Sequence, residues 1–364
     1  MSSFSAERHI EMCGMGTQVC IGRGFLGAIG DRCKALEDFS GALVVTDENL
    51  ADRYAKLVRN SLTEAGIPCG IHVVPPGDAS KSLSELERIF QSLGECGVAR
   101  DGLVVAVGGG MITDLAGFAA ATWMRGVASV YCPTTLEADI DASIGGKTGV
   151  NHAMGKNLIG AFHQPRAVFI DVACLDTLAD RDLIAGMAES IKHAAITNES
   201  FISWHEANAS AVLGREEAAL TMLIDRNIAI KADIVARDER ETTGVRAMLN
   251  FGHTIGHAIE AVSEYGLRHG ECVSLGMVAA CRLSQTLGML KAADADRIIR
   301  LLTTYGLPTE LTKGINREAV WDLLSRDKKV SRGEVRFVLL EGIGNPVLKS
   351  GLPEGPVREA IAGL

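Results

Sequence analysis

The 364-residue sequence has no cysteine pair at C-x-x-C spacing, and its nine cysteines are an odd number scattered at wide intervals. Neither a thiolate metal site nor a disulfide framework is expected, and the cysteines read as reduced core residues of a cytoplasmic protein. Excess positive charge is also missing: 36 Lys and Arg against 45 Asp and Glu leave a net charge of -9. That balance argues against a general binder of nucleic acid or anionic membrane, so any anionic ligand must be met by local basic residues. No continuous apolar run opens the chain. The least polar long stretch, residues 102–124, contains Asp114 and five glycines, so neither a signal peptide nor a membrane span is expected. Repeats of 20 to 50 residues and low-complexity linkers are lacking too.

What remains is a globular composition, 47% hydrophobic and 22% charged, in a chain long enough for two domains. Short apolar runs at 42–45, 71–75, 103–107, 129–132 and 167–170 alternate with helix-like stretches through the first half. This alternation predicts parallel strands joined by helices, a Rossmann-like α/β domain over 1–176. Beyond it, 182–197, 215–236, 252–263 and 271–288 show helical spacing and strand-like runs nearly vanish. Residues 177–364 are therefore expected to form an all-α domain.

Three clusters carry chemistry. The first is the run 103–107 leading into Gly108, Gly109 and Gly110 and then an alanine-rich helical stretch. A strand, a glycine turn and a helix N-terminus suit a pyrophosphate, because backbone N–H groups and the helix dipole converge there. Thr113 occupies the third glycine place of G-x-G-x-x-G, so the dinucleotide fingerprint is imperfect. Asp47, just past an earlier strand, suits a ribose hydroxyl or, equally, a helix cap.

The second cluster, residues 141–157, reads as a basic glycine loop holding Lys147, Lys156 and Asn157 among four glycines. Its spacing is not that of a P-loop, so nucleoside triphosphate hydrolysis is not expected and a smaller phosphate ester is. In the third, His253 and His257 lie four apart on one helical face, His269 follows, and Glu189 and Lys192 share a face at i, i+3. Two histidines and one carboxylate leave a zinc ion an open position for substrate oxygens. Spacing alone does not say whether the carboxylate is Glu189, Glu260 or Glu271.

Taken together, these runs resemble the 3-dehydroquinate synthases, sugar phosphate cyclases of the shikimate pathway. The resemblance extends from about residue 43 to 351. It rests on 108–127 (GGGMITDLAGFAAATWMRGV), 133–162 (PTTLEADIDASIGGKTGVNHAMGKNLIGAF), 186–192 (GMAESIK), 238–260 (DERETTGVRAMLNFGHTIGHAIE), 269–277 (HGECVSLGM) and 326–330 (RDKKV), in that order.

The resemblance implies a nucleotide-binding N-terminal domain, a helical C-terminal domain, bound NAD and a zinc ion, with cobalt as an alternative metal. Family zinc ligands fall on Glu189, His253 and His269, and His257 then joins the network around the substrate phosphate. NAD contacts fall on Asp47, Asn49, Gly77, Asp78, Lys81, Gly109, Gly110, Asp114, Thr134, Thr135, Lys147, Lys156 and Thr177. Substrate contacts fall on Asp141, Lys147, Asn157, Lys192, Lys231, Arg246, Asn250 and Lys328, one of a lysine pair, with Arg125 reaching across a homodimer. Departures from the family pattern are Asp78 for a common glutamate, Thr113 for a frequent glycine and Asp139 for a common glutamine. The first 35 or so residues match poorly.

The implied reaction converts 3-deoxy-D-arabino-heptulosonate 7-phosphate to 3-dehydroquinate and phosphate. The intact run 145–151 (GGKTGVN) favours this substrate over those of cyclases that make other carbocycles. Rival readings are an aminodehydroquinate synthase, a metal-dependent polyol dehydrogenase and a non-catalytic NAD-binding regulator.

Overall fold

The computed structural model describes residues 5–12, 15–264, 266–312, 314–330 and 335–364, with the backbone alone at 11, 12, 15 and 326–330. The chain divides into two compact units, Met1–Leu178 with Leu220–Ala236, and Ala179–Ala219 with Arg237–Leu364.

In the first unit the strands are β1 (Ala6–Met12), β2 (Met15–Gly22), β3 (Ala42–Asp47), β4 (Cys69–Val74), β5 (Leu103–Gly108), β6 (Ala128–Pro133), β7 (Lys147–His152), β8 (Gly155–Phe162) and β9 (Ala167–Asp171). Seven of them form one sheet in the order β1-β2-β9-β6-β5-β3-β4, parallel except for the antiparallel β1–β2 hairpin. All five expected strands are among the parallel ones. Their near-continuous apolar runs reflect cover on both faces. Leu103, Val105 and Val107 share a core with Cys33 of α1 (Gly30–Leu36) and with Val58 and Leu62 of α2 (Lys56–Glu64). On the opposite face, α3 (Leu83–Glu95) begins at the Ser82 cap and packs beside α4 (Gly110–Thr122).

The sheet order has a direct consequence for ligand binding. From β3 the chain moves outward to β4, whereas from the adjacent β5 it moves the other way to β6. Such a reversal opens a crevice at the carboxyl ends of the two strands, the usual ligand position in open α/β sheets. Asp47 ends β3, and the glycine turn follows β5.

Three features depart from the sequence reading. The 35 N-terminal residues, unassigned by resemblance, supply the β1–β2 hairpin and extend the sheet beyond β9. The basic glycine loop is largely the β7–β8 hairpin, lying against α4. Residues 220–236 belong to the first unit although they follow the break expected at 176/177. Long-range ion pairs tie them there: Arg8 to Asp225, and Lys231 Nζ to Asp141 Oδ1 at 2.6 Å.

The second unit holds α5 (Asp180–Thr197), α6 (Glu199–Leu213), the ends of α7 (Glu217–Arg237), α8 (His253–Val262), α9 (His269–Thr286), α10 (Ala292–Thr304), α11 (Arg317–Val330) and α12 (Glu354–Ala362). It also carries one short hairpin, β10 (Phe337–Leu340) with β11 (Pro346–Lys349), absent from the all-α expectation.

Helix α9 is the hub, packing against α5, α8, α10 and α12, and two glycines set how closely it approaches. A Cβ added at Gly270 would sit 1.9 Å from the Ala185 carbonyl oxygen of α5, and one at Gly276 would sit 1.8 Å from the Gly252 carbonyl oxygen at the start of α8. Both obstacles are backbone, so no rotamer change relieves them. We expect Gly276→Ala to cost more than the ~1–3 kcal/mol typical of an overpacked core and to lower the thermal unfolding midpoint. An unchanged midpoint would mean that α8 and α9 separate freely.

Candidate active site

The helix contacts in the second unit bring together residues far apart in sequence. Glu189 on α5 is fully buried, and its Oε2 is ion-paired with Lys192 Nζ one turn later. Its other oxygen, Oε1, has no hydrogen-bond partner. Instead it faces His253 Nε2 of α8 at 3.5 Å and His269 Nε2 of α9 at 3.4 Å. The distal nitrogens fix the tautomers: His253 Nδ1 donates to the Phe251 carbonyl at 3.3 Å, and His269 Nδ1 faces Glu260 Oε2 at 3.4 Å. A proton held on each Nδ1 leaves the Nε2 lone pair turned toward Glu189, the arrangement common behind metal-bound histidines.

Electrostatics agree with this geometry. Burial pushes the Glu189 carboxyl toward its neutral form, but Lys192, His253 and His269 together hold it well below the usual carboxylate range. Burial drives His253 down to about 3, so its imidazole is neutral at physiological pH. A charged carboxylate with one orphaned oxygen, the neutral His253 imidazole and the facing His269 Nε2 form the donor set a divalent cation requires. His257 completes a ring cluster, 5.2 Å from His253 and 5.7 Å from His269 between centroids. Ligand atoms of all three histidines lie within 4.8 Å of one another. Of the carboxylates left open by spacing, Glu260 therefore stands behind His269, and Glu271 is held by Arg181 at 2.7 Å.

Arg246 and Asn250 bracket a single helical turn that packs on α5 and on the β10–β11 hairpin. Arg246 is buried and its guanidinium donates to the Glu239 carbonyl. Asp238, which spacing did not single out, organises this loop by accepting backbone N–H bonds from Thr242 at 2.7 Å, Thr243 at 3.1 Å and Arg246 at 3.1 Å. Burial opposes its charge, but those three donors outweigh burial and hold its carboxyl well below the ordinary range. Its signal in the sequence is an Asp followed at four and five residues by Thr, an Asx-type turn legible only in hindsight. The side chain of Lys328 lies outside what the structure describes.

In the first unit the expected nucleotide contacts gather at the carboxyl edge of the sheet. Gly109 caps α4 with no side chain, and its carbonyl takes the Ile112 and Thr113 N–H groups, so that only the N–H groups of Gly110 and Met111 are of the kind that suits an anion. A Cβ at Gly109 would meet Thr135 at 3.1 Å, and one at Gly110 would meet Ala142 at 3.2 Å, so the turn follows its neighbours closely. Thr134 N donates to the Gly108 carbonyl at 3.1 Å, and Thr177 meets the Tyr54 hydroxyl at 2.7 Å.

Gly77, with φ +99°, opens the turn that carries Asp78 and Lys81. Lys81 bonds both Asp114 and Asn157, while Lys156 reaches Asp78 at 2.9 Å. Burial raises the Asp114 carboxyl, opposed by Lys81 and then Lys231. Asp47 accepts the Asn49 N–H at 2.8 Å, closing a turn ahead of a helical segment whose N-cap is Leu50, so it is not that segment's cap. Lys147 opens β7 at the surface.

Arg125 is not among these residues. It precedes β6 at the opposite, amino-terminal edge of the sheet, where with Arg100, His163 and Arg166 it lines a cavity of about 390 Å³.

Comparison with known proteins places this geometry. The 3-dehydroquinate synthase N-terminal model matches residues 71–185 and the C-terminal model residues 186–330. A curated 3-dehydroquinate synthase of Desulforamulus reducens is 46% identical over 321 residues, covering 88% of this chain and 89% of that protein. Among solved structures, 2-deoxy-scyllo-inosose synthase, complexed with carbaglucose-6-phosphate, NAD+ and Co2+, aligns with a TM-score of 0.90 at 25% identity, over 98% of this chain and 99% of that one. The 2-epi-5-epi-valiolone synthase ValA of Streptomyces hygroscopicus subsp. jinggangensis 5008, with NAD+ and Zn2+ bound, aligns with a TM-score of 0.86 at 25% identity, over 99% and 98%. The fold is thus that of cyclases with a parallel-sheet domain and a helical domain. The chain belongs to the 3-dehydroquinate synthase family and is an enzyme.

Proposed function

We propose that the protein is a 3-dehydroquinate synthase, a lyase that converts 3-deoxy-D-arabino-heptulosonate 7-phosphate to 3-dehydroquinate and phosphate with catalytic NAD and a divalent metal. The observation that carries this reading is the Glu189, His253 and His269 constellation in a chain 46% identical to a curated synthase along most of its length. The first unit binds NAD and the second holds the metal; zinc is the resident ion, with cobalt able to replace it. The protein works in the cytoplasm as a homodimer.

Glu189, His253 and His269 would hold the metal. A bound metal would supply polarisation of a substrate hydroxyl, and bound NAD would supply reversible hydride transfer. Lys192 keeps Glu189 ionised, and its ammonium donates to substrate oxygen. Asp114 and Asn157, held by Lys81, fix the edge at which the glycine turn takes the pyrophosphate, with Asp47, Asn49, Asp78, Thr134, Thr135, Lys156 and Thr177 around the rest of the cofactor. Arg246, Asn250, Asn157, Lys147 and His257 bind the substrate phosphate, which needs several charge-assisted donors in a protein of net charge -9. Asp141, Lys231 and Lys328 orient the sugar. Once phosphate has left, ring opening and an intramolecular aldol require positioning more than new catalytic groups.

Phosphate release, measured with the heptulosonate phosphate and with its amino analogue, distinguishes this reading from an aminodehydroquinate synthase. Nicotinamide absorbance is followed in the same cuvette. The expected outcome is phosphate release with the hydroxy substrate and no accumulation of NADH. A stoichiometric rise in NADH would instead identify a dehydrogenase. For the dimer, we expect mixed Arg125→Ala and Arg246→Ala subunits to recover activity that neither variant has alone, because one composite site per mixed dimer is then intact. A verified mixed dimer without recovery would remove Arg125 from the neighbouring site.

A further inference from the structure

One buried carboxyl of the first unit has no part in the reaction just described. Asp139 is 1% exposed, and neither of its oxygens has a hydrogen-bond partner. It lies in the helical turn Ala138–Ala142 that leaves β6, with its own N–H bonded to the Thr135 carbonyl at 2.9 Å. The same turn carries Asp141 to Lys231 and sets Ala142 against Gly110. Asp139 is therefore on the element that joins the glycine turn to the Asp141–Lys231 pair.

Among the described residues, no donor or cation is bonded to either Asp139 oxygen. The nearby carboxylate, Asp171, lies at the end of β9 and is already engaged by the backbone N–H groups of Gly24 at 2.7 Å, Phe25 at 2.8 Å, Leu26 at 3.1 Å and Ala173 at 3.1 Å. Cys174, in the turn after β9, is the other titratable group facing Asp139, and burial keeps its thiol protonated. An ionised, unpaired carboxylate at such a position is costly enough that a group takes up a proton instead. Ser143, four residues on and equally buried, has an unpartnered hydroxyl of its own.

We propose that Asp139 is a positioning residue that functions as a protonated carboxylic acid at neutral pH, keeping the Ala138–Ala142 turn seated so that Asp141 meets Lys231. Burial first, and then the charge of Asp171, hold its carboxyl well above the usual range, in keeping with that state. The sign of the linkage follows. A carboxyl raised in the folded state stabilises the fold fully only below its unfolded value, and the fold weakens as pH climbs above that value until the raised one is reached. An amide at 139 has no proton to lose. The catalytic part of the proposal rests on the function proposed above, whereas the protonation state does not.

The test compares wild type with Asp139→Asn, with Asp139→Gln as a second amide should the first fold poorly. Thermal unfolding is followed between pH 5 and 9. The amide variant should match wild type near pH 5 and gain on it at higher pH, by up to about tenfold in the folding equilibrium per pH unit, one proton's worth. Infrared spectra of folded wild type at pH 8 should show a protonated carboxyl band that the amide variant lacks. Phosphate release should persist in the amide variant at neutral pH and hold to higher pH than in wild type. A pH-independent difference in unfolding, or no protonated band at pH 8, overturns the proposal. So does a wild-type requirement for potassium or sodium that the amide variant loses, since the orphaned oxygens would then hold a cation. If the two physical readouts appear and phosphate release fails in every form, wild type included, the fault lies with the proposed function and not with Asp139.

Discussion

Everything in the helical unit depends on keeping one buried carboxylate charged. Glu189 is out of water on a helix packed on several sides, where an uncompensated ion costs several kcal/mol. Lys192 compensates one oxygen, and the imidazoles of His253 and His269 face the other without satisfying it. The helix packing serves this arrangement, since backbone contact at Gly270 and Gly276 holds α5, α8 and α9 at the separation that brings all three side chains to one point. A site assembled in this way is preorganised, with its remaining unsatisfied valence directed at the place a cation would occupy.

The α/β unit follows a different constraint. Its parallel strands all end at one edge, and the reversal of connection between β3 and β5 opens that edge to a ligand. The side chains there are cross-linked among themselves: Lys81 to Asp114 and Asn157, Lys156 to Asp78, Lys231 to Asp141. Three lysines among four acidic or amide partners neutralise the edge locally, which is how a protein of net charge -9 presents an anion site.

The legible part of this protein was the part written at short range. Strands showed as apolar runs because both sheet faces are covered, and α8 showed as two histidines four apart because helical periodicity is local. The carboxylate proposed as metal ligand was not legible by spacing, because Glu189 lies 64 residues before His253 and nothing local separates it from Glu260 or Glu271; only resemblance singled it out. What separates them in space is Glu271's ion pair with Arg181 and Glu260's position behind His269. Residues 141–157 looked like a glycine loop because the glycines that let β7 and β8 pair closely are also loop-forming residues. At Gly160 an added Cβ would lie 2.1 Å from the Thr148 carbonyl. The place of residues 220–236 in the first unit was hidden for the same reason as Glu189. Its partners, Arg8 and Asp141, are at least 90 residues away.

The most direct test of the buried-charge account is anomalous scattering at the zinc absorption edge from crystals grown with zinc. The expected peak lies about 2.0–2.2 Å from Glu189 Oε1, His253 Nε2 and His269 Nε2. A peak bonded to His253, His257 and His269, with Glu189 left to Lys192 alone, would contradict the assignment of Glu189 as the ligand around which the helices are arranged.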